Sequence, residues 1–237
     1  MRPSFPAKPL VLAWGLAAAC TSEPSSPKYD PDIPIAWAPN VTNQWFVLDP
    51  GSVATFAAAT AEGAESTKVE VLPTTRNVNG ITATVVLDRV LLNSSLVEET
   101  YDWYAQDTDG NVWYLGEDSK QYENGVVIST AGSWEWGLAA ALPGIIMWAD
   151  PTLHVGEAYR QEFFDGEAED WGKVLAVNEA VTVPAGSFTG CIKTDDWSGL
   201  ESGSHEHKYY CSGIGVVLEV TKRGSGDRTE LTSWATP

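Results

Sequence analysis

Short runs of β-branched and aromatic residues, separated by turn signals, make up this chain from Thr42 onward, and no long segment has the period of an amphipathic helix. Asn-Gly and Asp-Gly pairs tolerate positive φ angles, so they predict tight hairpin turns at 79–80, 109–110 and 124–125. The predicted strands cover residues 53–60, 67–72, 81–92, 97–106, 111–116, 126–130, 159–164, 174–183, 188–197, 205–220 and 229–234. The pattern therefore restricts the chain to mainly antiparallel sheet.

One domain accounts for all of these strands. Residues 41–237 are long enough to bury a sizeable core, and the sequence predicts a single, mainly β domain over them. Its architecture is expected to be a curved antiparallel sheet or a partly open barrel or sandwich. Residues 134–147 interrupt the rhythm of the strands and are expected to form one long loop or a short helix packed on the sheet.

Residues 1–19 have the composition of a lipoprotein signal peptide. Arg2 and Lys8 precede a short apolar run that ends in small residues before Cys20, and such a run is too short to cross a bilayer as a helix. Cys20 stands where a bacterial lipoprotein carries its acylated cysteine, and residues 20–40 are predicted to be the acylated Cys with a flexible tether. Ordinary signal peptidase is the alternative, and its cleavage after Ala19 would release a soluble protein.

Acyl chains such as palmitate would anchor the mature chain to a membrane without a transmembrane segment, since each buried methylene contributes about 0.8 kcal/mol. We therefore expect an exported, lipid-anchored protein of the bacterial cell envelope. An aspartate directly after the anchor cysteine resembles a signal for retention in the inner membrane, and this chain has Thr21 there instead. In a cell with an outer membrane we therefore expect the protein in that membrane.

The charge balance is strongly acidic. The chain has 32 acidic and 14 basic residues, a formal net charge of −18, and this field repels nucleic acid and anionic lipid. The sequence thus predicts no nucleic-acid partner. Cations, basic proteins or simple solubility are the interpretations that remain, and the protein or small-ligand partner is left open.

Cys191 and Cys211 form an even pair in an exported chain, where oxidation is the expected state. The polar segment 198–204 lies between two strand-like runs, so the pair is predicted to be a structural disulfide that links the strands of a hairpin. Closing a loop of this size contributes roughly 3 kcal/mol in the chain-entropy model. With Cys191 opposite Cys211, the register would place Lys193 opposite Tyr209, Asp195 opposite His207, and Trp197 opposite His205.

The sequence suggests a candidate site for a divalent metal ion. Imidazole and carboxylate groups bind divalent cations, so Glu206 and His207 could act together with the acidic residues Glu167, Glu169 and Asp170. The alternative is a structural histidine, because the predicted register gives His207 a cross-strand carboxylate partner. A divalent cation is accordingly the one cofactor that the sequence suggests.

The segment 107–111 presents a second choice between a cation site and a turn. Its carboxylate and amide oxygens suit calcium, but glycine stands fourth instead of sixth as in an EF-hand loop, which favours a hydrogen-bonded hairpin turn. No nucleophile elbow, zinc-protease helix or phosphate-binding glycine loop is present in the sequence, which makes catalysis the less favoured class.

Aromatic residues supply the candidate ligand-binding surface. Strand alternation places Trp103 on one face with Tyr101, and Tyr104 on the other; in the next strand Trp113 and Tyr114 also point to opposite faces. Exposed aromatic rings stack on sugars or apolar ligands. Trp103, Tyr104, Trp113 and Tyr114 are therefore candidate ligand contacts, with burial in the core as the alternative.

Several motifs resemble a family of uncharacterised bacterial secreted proteins and lipoproteins. They are FVLDPG (46–51), EETYDWYAQDTDGNVWYLGED (98–118), PGIIM (143–147), YRQEFFDGEAED (159–170), VPAGSF (183–188) and EHKYYCSGIGVV (206–217). The resemblance implies a curved antiparallel sheet and no particular activity. The functional expectation is an envelope lipoprotein acting as a binding or structural module; the alternative is a divalent-metal-binding protein or a metal-dependent enzyme.

Overall fold

The computed structural model describes residues 29–201, 203–222 and 226–237, and these residues form one sheet of 15 strands. The strands are β1 (Val53–Thr60), β2 (Gly63–Val78), β3 (Ile81–Leu92), β4 (Ser95–Gln106), β5 (Val112–Glu123), β6 (Val126–Ser129), β7 (Trp134–Glu135), β8 (Leu142–Met147), β9 (Ala158–Arg160), β10 (Glu162–Phe163), β11 (Asp170–Val183), β12 (Gly186–Ser198), β13 (His205–Cys211), β14 (Gly215–Thr221) and β15 (Arg228–Ala235). A 3-10 helix, Pro151–His154, precedes β9. The prediction of a single, mainly β, antiparallel domain is confirmed.

Two meanders, β1–β5 and β11–β15, are joined because the first strand pairs with the last. The two strands at the ends of the sheet, β9 and β10, follow each other in the sequence. Strand β9 pairs with β11 at one end, and β10 pairs with β8 at the other, with Gln161 alone between them. The sheet is therefore curved until its two ends lie side by side, although no ladder closes it into a barrel.

The curved sheet packs on both of its faces. Val71, Val86, Ile192 and Tyr210 belong to a buried cluster inside the curve. On the opposite face of β3–β5, a second cluster contains Trp103 and Trp113. A third lies where β11 and β12 meet β14 and β15; its buried members are Phe56, Val181, Val183, Cys191, Cys211, Val217, Leu218 and Leu231.

Residues 29–40, the described part of the segment 20–40 that the sequence predicts to be the acylated Cys and tether, contact the sheet at several points. Trp37 contacts Trp113 edge-to-face with ring centroids 6.2 Å apart, and Ala38 donates its N–H to the carbonyl of Gln106. The signal peptide and Cys20 lie outside the described residues.

The prediction of one long loop or a short helix at 134–147 is wrong. Strand β7 pairs with Gly116 and Glu117 of β5, and β8 pairs with Val112, Trp113 and Tyr114 of the same strand. These strands are too short to show an alternating pattern in the sequence, and their partners are distant along the chain.

Most predicted strands are found with longer bounds, whereas Val53–Thr60 and Ile81–Leu92 are found as predicted. The predicted strand 159–164 is two short strands, β9 and β10. The predicted run 205–220 is two strands, β13 and β14, separated by a turn in which Gly213 has a φ of 79°. The predicted hairpin turns at 79–80 and 124–125 are confirmed, because both residues of each pair have positive φ.

The β12–β13 hairpin has the predicted register. Asp195 lies opposite His207, Trp197 opposite His205, and Lys193 opposite Tyr209. Cys191 and Cys211 form the disulfide, with their Cα atoms 4.3 Å apart and both residues buried. The disulfide therefore lies in the core between two neighbouring strands.

The segment 107–111 is a hydrogen-bonded turn. Asp107 is buried, and its carboxylate accepts hydrogen bonds from the N–H and side-chain amide of Asn111 and from the indole N–H of Trp113, at 2.8, 2.9 and 2.9 Å. These contacts use both carboxylate oxygens of Asp107, which agrees with the interpretation as a turn. No helix among the described residues is long and apolar enough to cross a membrane.

Candidate functional site

The inner side of the curved sheet surrounds a cavity of about 250 Å³. Strands β1–β4, β8 and β13–β15 contribute side chains to its wall, together with loop residues 46–48 and 213–214. Both meanders of the sheet thus contribute to the cavity, which lies between their inner faces.

Apolar side chains form most of the wall. Those that line it include Phe46, Leu48, Phe56, Val69, Val71, Val86, Ile146 and Val216. Tyr104 extends this surface, with its ring 5.0 Å from that of Phe46 and 4.9 Å from that of Tyr114. The cavity therefore has the apolar character that is typical of sites for small organic ligands.

A lysine surrounded by acids stands on one side of the cavity. The Nζ of Lys208 lies 3.7 Å from Asp196 and 3.8 Å from both Glu206 and Glu219. Cross-strand pairing creates the cluster, since Lys208 is opposite Glu219, and Glu206 is opposite Asp196. Burial lowers the pKa of Lys208, but the three carboxyl groups outweigh it and hold the pKa well above its usual range. The ammonium group is therefore charged.

The acids in this cluster hold their protons more tightly than in water. Burial, with Glu219 as the next cause, raises the pKa of Glu206 to about 7, and Lys208 acts in the opposite direction. Burial also raises the pKa of Asp196, against the influence of Lys208. The protonation of Asp196 and Glu206 therefore changes at a higher pH than that of an ordinary carboxyl group, at about pH 7 for Glu206.

A half-buried carboxyl pair lies on β4 and β5. Asp102 is opposite Glu117, and the hydroxyl of Tyr114 donates toward both, at 2.5 Å to Asp102 and 3.0 Å to Glu117. Burial raises the pKa of Asp102 well above its usual range, Glu117 adds to the rise, and the hydrogen bond from Tyr114 opposes it. Asp102 reaches the cavity wall with its acceptor capacity already partly used.

Asp88 of β3 is a further acid on the cavity wall. It lines the cavity, and its Oδ1 is buried with no hydrogen-bond partner among the described residues. Burial raises the pKa of Asp88 to about 7; Glu219, Glu98 and Glu65 add to the rise, and Lys208 opposes it. Asp88 therefore brings to the cavity wall a carboxyl group whose Oδ1 the described residues do not satisfy.

The structure does not bring the five predicted metal ligands together. Glu206 points into the cavity side of β13, whereas its neighbour His207 points to the other face, where it lies 3.7 Å from Asp195. Glu169 pairs with Arg160, and Glu167 is exposed. Asp170 begins β11, two strands away from β13.

Within the described part of the chain, no group of three or more histidine, cysteine, aspartate or glutamate residues is arranged to hold a metal ion. His205 shares Asp195 with His207, its Nδ1 lying 3.1 Å from the carboxylate, and Lys222 reaches the same group at 3.4 Å. These contacts support the alternative of histidines with a structural carboxylate partner.

The four aromatic candidates are divided between the two faces as the alternation predicted. Trp103 and Trp113 are buried in the cluster on the outer face, where the guanidinium of Arg76 lies 4.0 Å from the Trp103 ring centroid. Tyr104 and Tyr114 stack on the inner side. Of these four, Tyr104 lines the cavity.

Sequence reasoning missed Asp88, Asp102, Lys208 and Glu219 as members of one site. A signal was available, because each is a charged residue within a strand whose neighbours two positions away include buried or half-buried apolar or aromatic side chains. The pattern predicts an inward-pointing charge at each position. It does not predict that four separate strands place these charges around one space.

Comparison with known proteins gives structural similarity alone. No known protein family and no curated protein matches the chain. A candidate exported protein with a YmcC-like fold from Bacteroides fragilis has 15% identity and a TM-score of 0.48, over 82% of this chain and 100% of that one. A candidate lipoprotein from Parabacteroides distasonis has 12% identity and a TM-score of 0.38, over 81% of this chain and 99% of that one. The family resemblance drawn from the motifs stays a prediction.

Proposed function

We propose that this chain is an exported, lipid-anchored envelope protein that binds a small organic ligand inside its curved sheet. The observation that carries the proposal is the cavity of about 250 Å³, whose apolar wall also presents Asp88, Asp102, Lys208 and Glu219. Protein interiors are close-packed, and a purely structural module gains stability by filling such a space with apolar side chains. A space that is kept open, with charged groups on its wall, favours binding.

The lipid anchor rests on the signal pattern and Cys20. We expect the full chain, expressed in a bacterium with an alkyne analogue of palmitate, to carry the label and fractionate with membranes. Cys20→Ser should lose the label and appear in the soluble exported fraction, whereas Thr21→Ser should behave as the wild type. An unlabelled wild-type protein would contradict the anchor and favour ordinary signal peptidase cleavage.

Ligand binding is tested with the Cys20→Ser full chain, which has no acylation site and needs no detergent. Phenethyl alcohol is a suitable probe, since a cavity of about 150 Å³ is sufficient for benzene. We expect saturable binding by isothermal titration calorimetry. Ala54→Phe, on the cavity wall, should abolish it, and Ala57→Phe, exposed on the same strand, should not.

Circular dichroism of both variants separates loss of binding from loss of folding. A folded Ala54→Phe protein that still binds the probe with wild-type affinity would show that the probe sits elsewhere. If neither the wild type nor Ala57→Phe bound this probe or the charged probes introduced below, the cavity would be excluded as a site for small aromatic ligands.

A further inference from the structure

The charged side chains on the cavity wall are mostly carboxyl groups. Three carboxyl groups, Asp88, Asp102 and Glu219, face the space together with a single cation, Lys208. That cation is already surrounded, because Asp196, Glu206 and Glu219 lie within 3.8 Å of its Nζ. The wall therefore has more carboxyl groups than its own lysine can pair.

The acids on the wall differ in what they already bind. Asp102 accepts from Tyr114, and Glu219 lies beside Lys208. Asp88 differs from both, because its buried Oδ1 has no hydrogen-bond partner among the described residues. A buried acceptor without a donor is unfavourable, and a charged donor satisfies it better than a neutral one.

The residues around Asp88 provide an apolar surface for the rest of a ligand. Val69 is its cross-strand neighbour on β2, and Val86 and Val71 continue the apolar wall beside it. A ligand group at Asp88 would thus be continuous with an apolar surface.

We propose that the cavity binds a ligand with an ammonium group on a small apolar body, the ammonium beside Asp88 and the body along Val69, Val71 and Val86. This inference rests on the proposed function, since it names the class of ligand that the same cavity takes. An ammonium ion beside the Asp88 carboxyl group favours the ionised form that burial and the neighbouring acids disfavour. An anionic ligand would instead face Asp88, Asp102 and Glu219 against one lysine that is already paired.

The test compares three probes of nearly the same shape: phenethylammonium, phenethyl alcohol and hydrocinnamate. Calorimetric titrations of the Cys20→Ser full chain at about pH 8 should show phenethylammonium binding at least about tenfold more tightly than the alcohol. Hydrocinnamate should bind most weakly. Asp88→Asn should remove the preference for the cation while the alcohol still binds, and Glu123→Gln, exposed at the end of β5, should leave it unchanged.

The outcomes separate the two proposals. Equal affinity for the alcohol and the ammonium, or a tighter hydrocinnamate, would overturn the cation preference and leave the cavity as a binding site. A preference that persists in Asp88→Asn would also overturn it. Failure of all three probes to bind would overturn the cavity function together with the inference that depends on it.

Discussion

Asp88 illustrates how one residue in a strand acquires a chemical role from its position. In the sequence it interrupts the apolar run of β3, and in the structure that interruption faces a cavity. Burial and three neighbouring acids raise its pKa to about 7 from the ordinary carboxyl value of 3.8. The folded protein therefore keeps a proton on Asp88 that the unfolded chain releases.

This difference predicts a pH dependence of stability. Between about pH 4 and pH 7 the folded state binds more protons than the unfolded state, so the free energy of unfolding falls as pH rises. Glu206, with a pKa also raised to about 7, acts in the same direction. Asp88→Asn should remove the part of this pH dependence that Asp88 causes. The Tm of the variant should equal that of the wild type near pH 4 and should be several degrees higher near pH 8. Thermal melts monitored by circular dichroism measure this.

Glu123→Gln is the matched control for that experiment, because Glu123 is exposed. Its Tm should follow the wild type at every pH. An Asp88→Asn protein whose Tm difference from the wild type is the same at both pH values would contradict the assignment of the titration to Asp88.

Replacing Lys208 should destabilise the protein, in contrast to replacing Asp88. Lys208→Met leaves Asp196, Glu206 and Glu219 without their cation, and we expect a loss of about 2 kcal/mol in unfolding free energy near pH 8. Near pH 5 the loss should shrink, because Asp196 and Glu206, whose pKa values are raised, take up protons. Denaturant unfolding at the two pH values gives the comparison. Lys68→Met, which breaks an exposed pair with Glu70, should cost at most about 1 kcal/mol at either pH.

A Lys208→Met protein with wild-type stability near pH 8 would mean that the three acids are compensated without the lysine. A loss that is equal at both pH values would point to lost packing of the lysine side chain, since packing does not titrate.

At the scale of elements, the β12–β13 hairpin is held by its register and its disulfide. Side chains of both strands alternate between the inner and the outer face. A slip by one residue would therefore exchange the acids beside Lys208 with the histidines of the outer face. The disulfide joins residues next to the paired segment and is buried with Phe56, Val181 and Leu231. It therefore stabilises the strand that carries Lys208.

We predict that a reductant lowers the free energy of unfolding of the wild type by about 3 kcal/mol, because the reduced, unfolded chain gains the entropy of an open loop. Urea unfolding with and without reductant measures the change. The double variant Cys191→Ala/Cys211→Ala should unfold identically under both conditions, which controls for effects of the reductant elsewhere. Equal midpoints for the oxidised and reduced wild type would contradict a stabilising role.

At the scale of the whole molecule, the closing of the curve depends on segment 158–163, which contributes to both ends of the strand order. Gly144 of β8 lies against this segment, and a Cβ built on it would overlap the main-chain carbonyls of Arg160 and Gln161. Glycine is required there because two backbones approach each other too closely for a side chain.

Gly144→Ala should accordingly lower the unfolding free energy by about 2 kcal/mol or more, since neither backbone can move away without opening the meeting of the two ends. Denaturant unfolding measures it, and the small-probe titrations report whether the cavity is lost as well. Gly190→Ala, at a positive φ with open space around it, should cost only about 1 kcal/mol. Similar losses in the two variants would mean that the close approach is not rigid.

The class of fold, most strands, two hairpin turns and the disulfide register could be predicted from the sequence because each depends on neighbours along the chain. Alternation gives the faces of β4 and β5, Asn-Gly pairs give turns, and two cysteines in adjacent strands give a register. The strands β7 and β8 could not be predicted, because their pairing partner β5 lies far from them in sequence and their own patterns are too short.

The cavity and its charges were decided by the tertiary structure. Asp88, Asp102, Lys208 and Glu219 lie on four strands, and they meet because β1 pairs with β15 and because 158–163 connects the two ends of the sheet. The predicted metal ligands fail to meet for the same kind of reason, since Glu206 and His207 leave one strand on opposite faces. Local pattern determines which way a side chain points, whereas the curvature and pairing of distant strands determine what it meets.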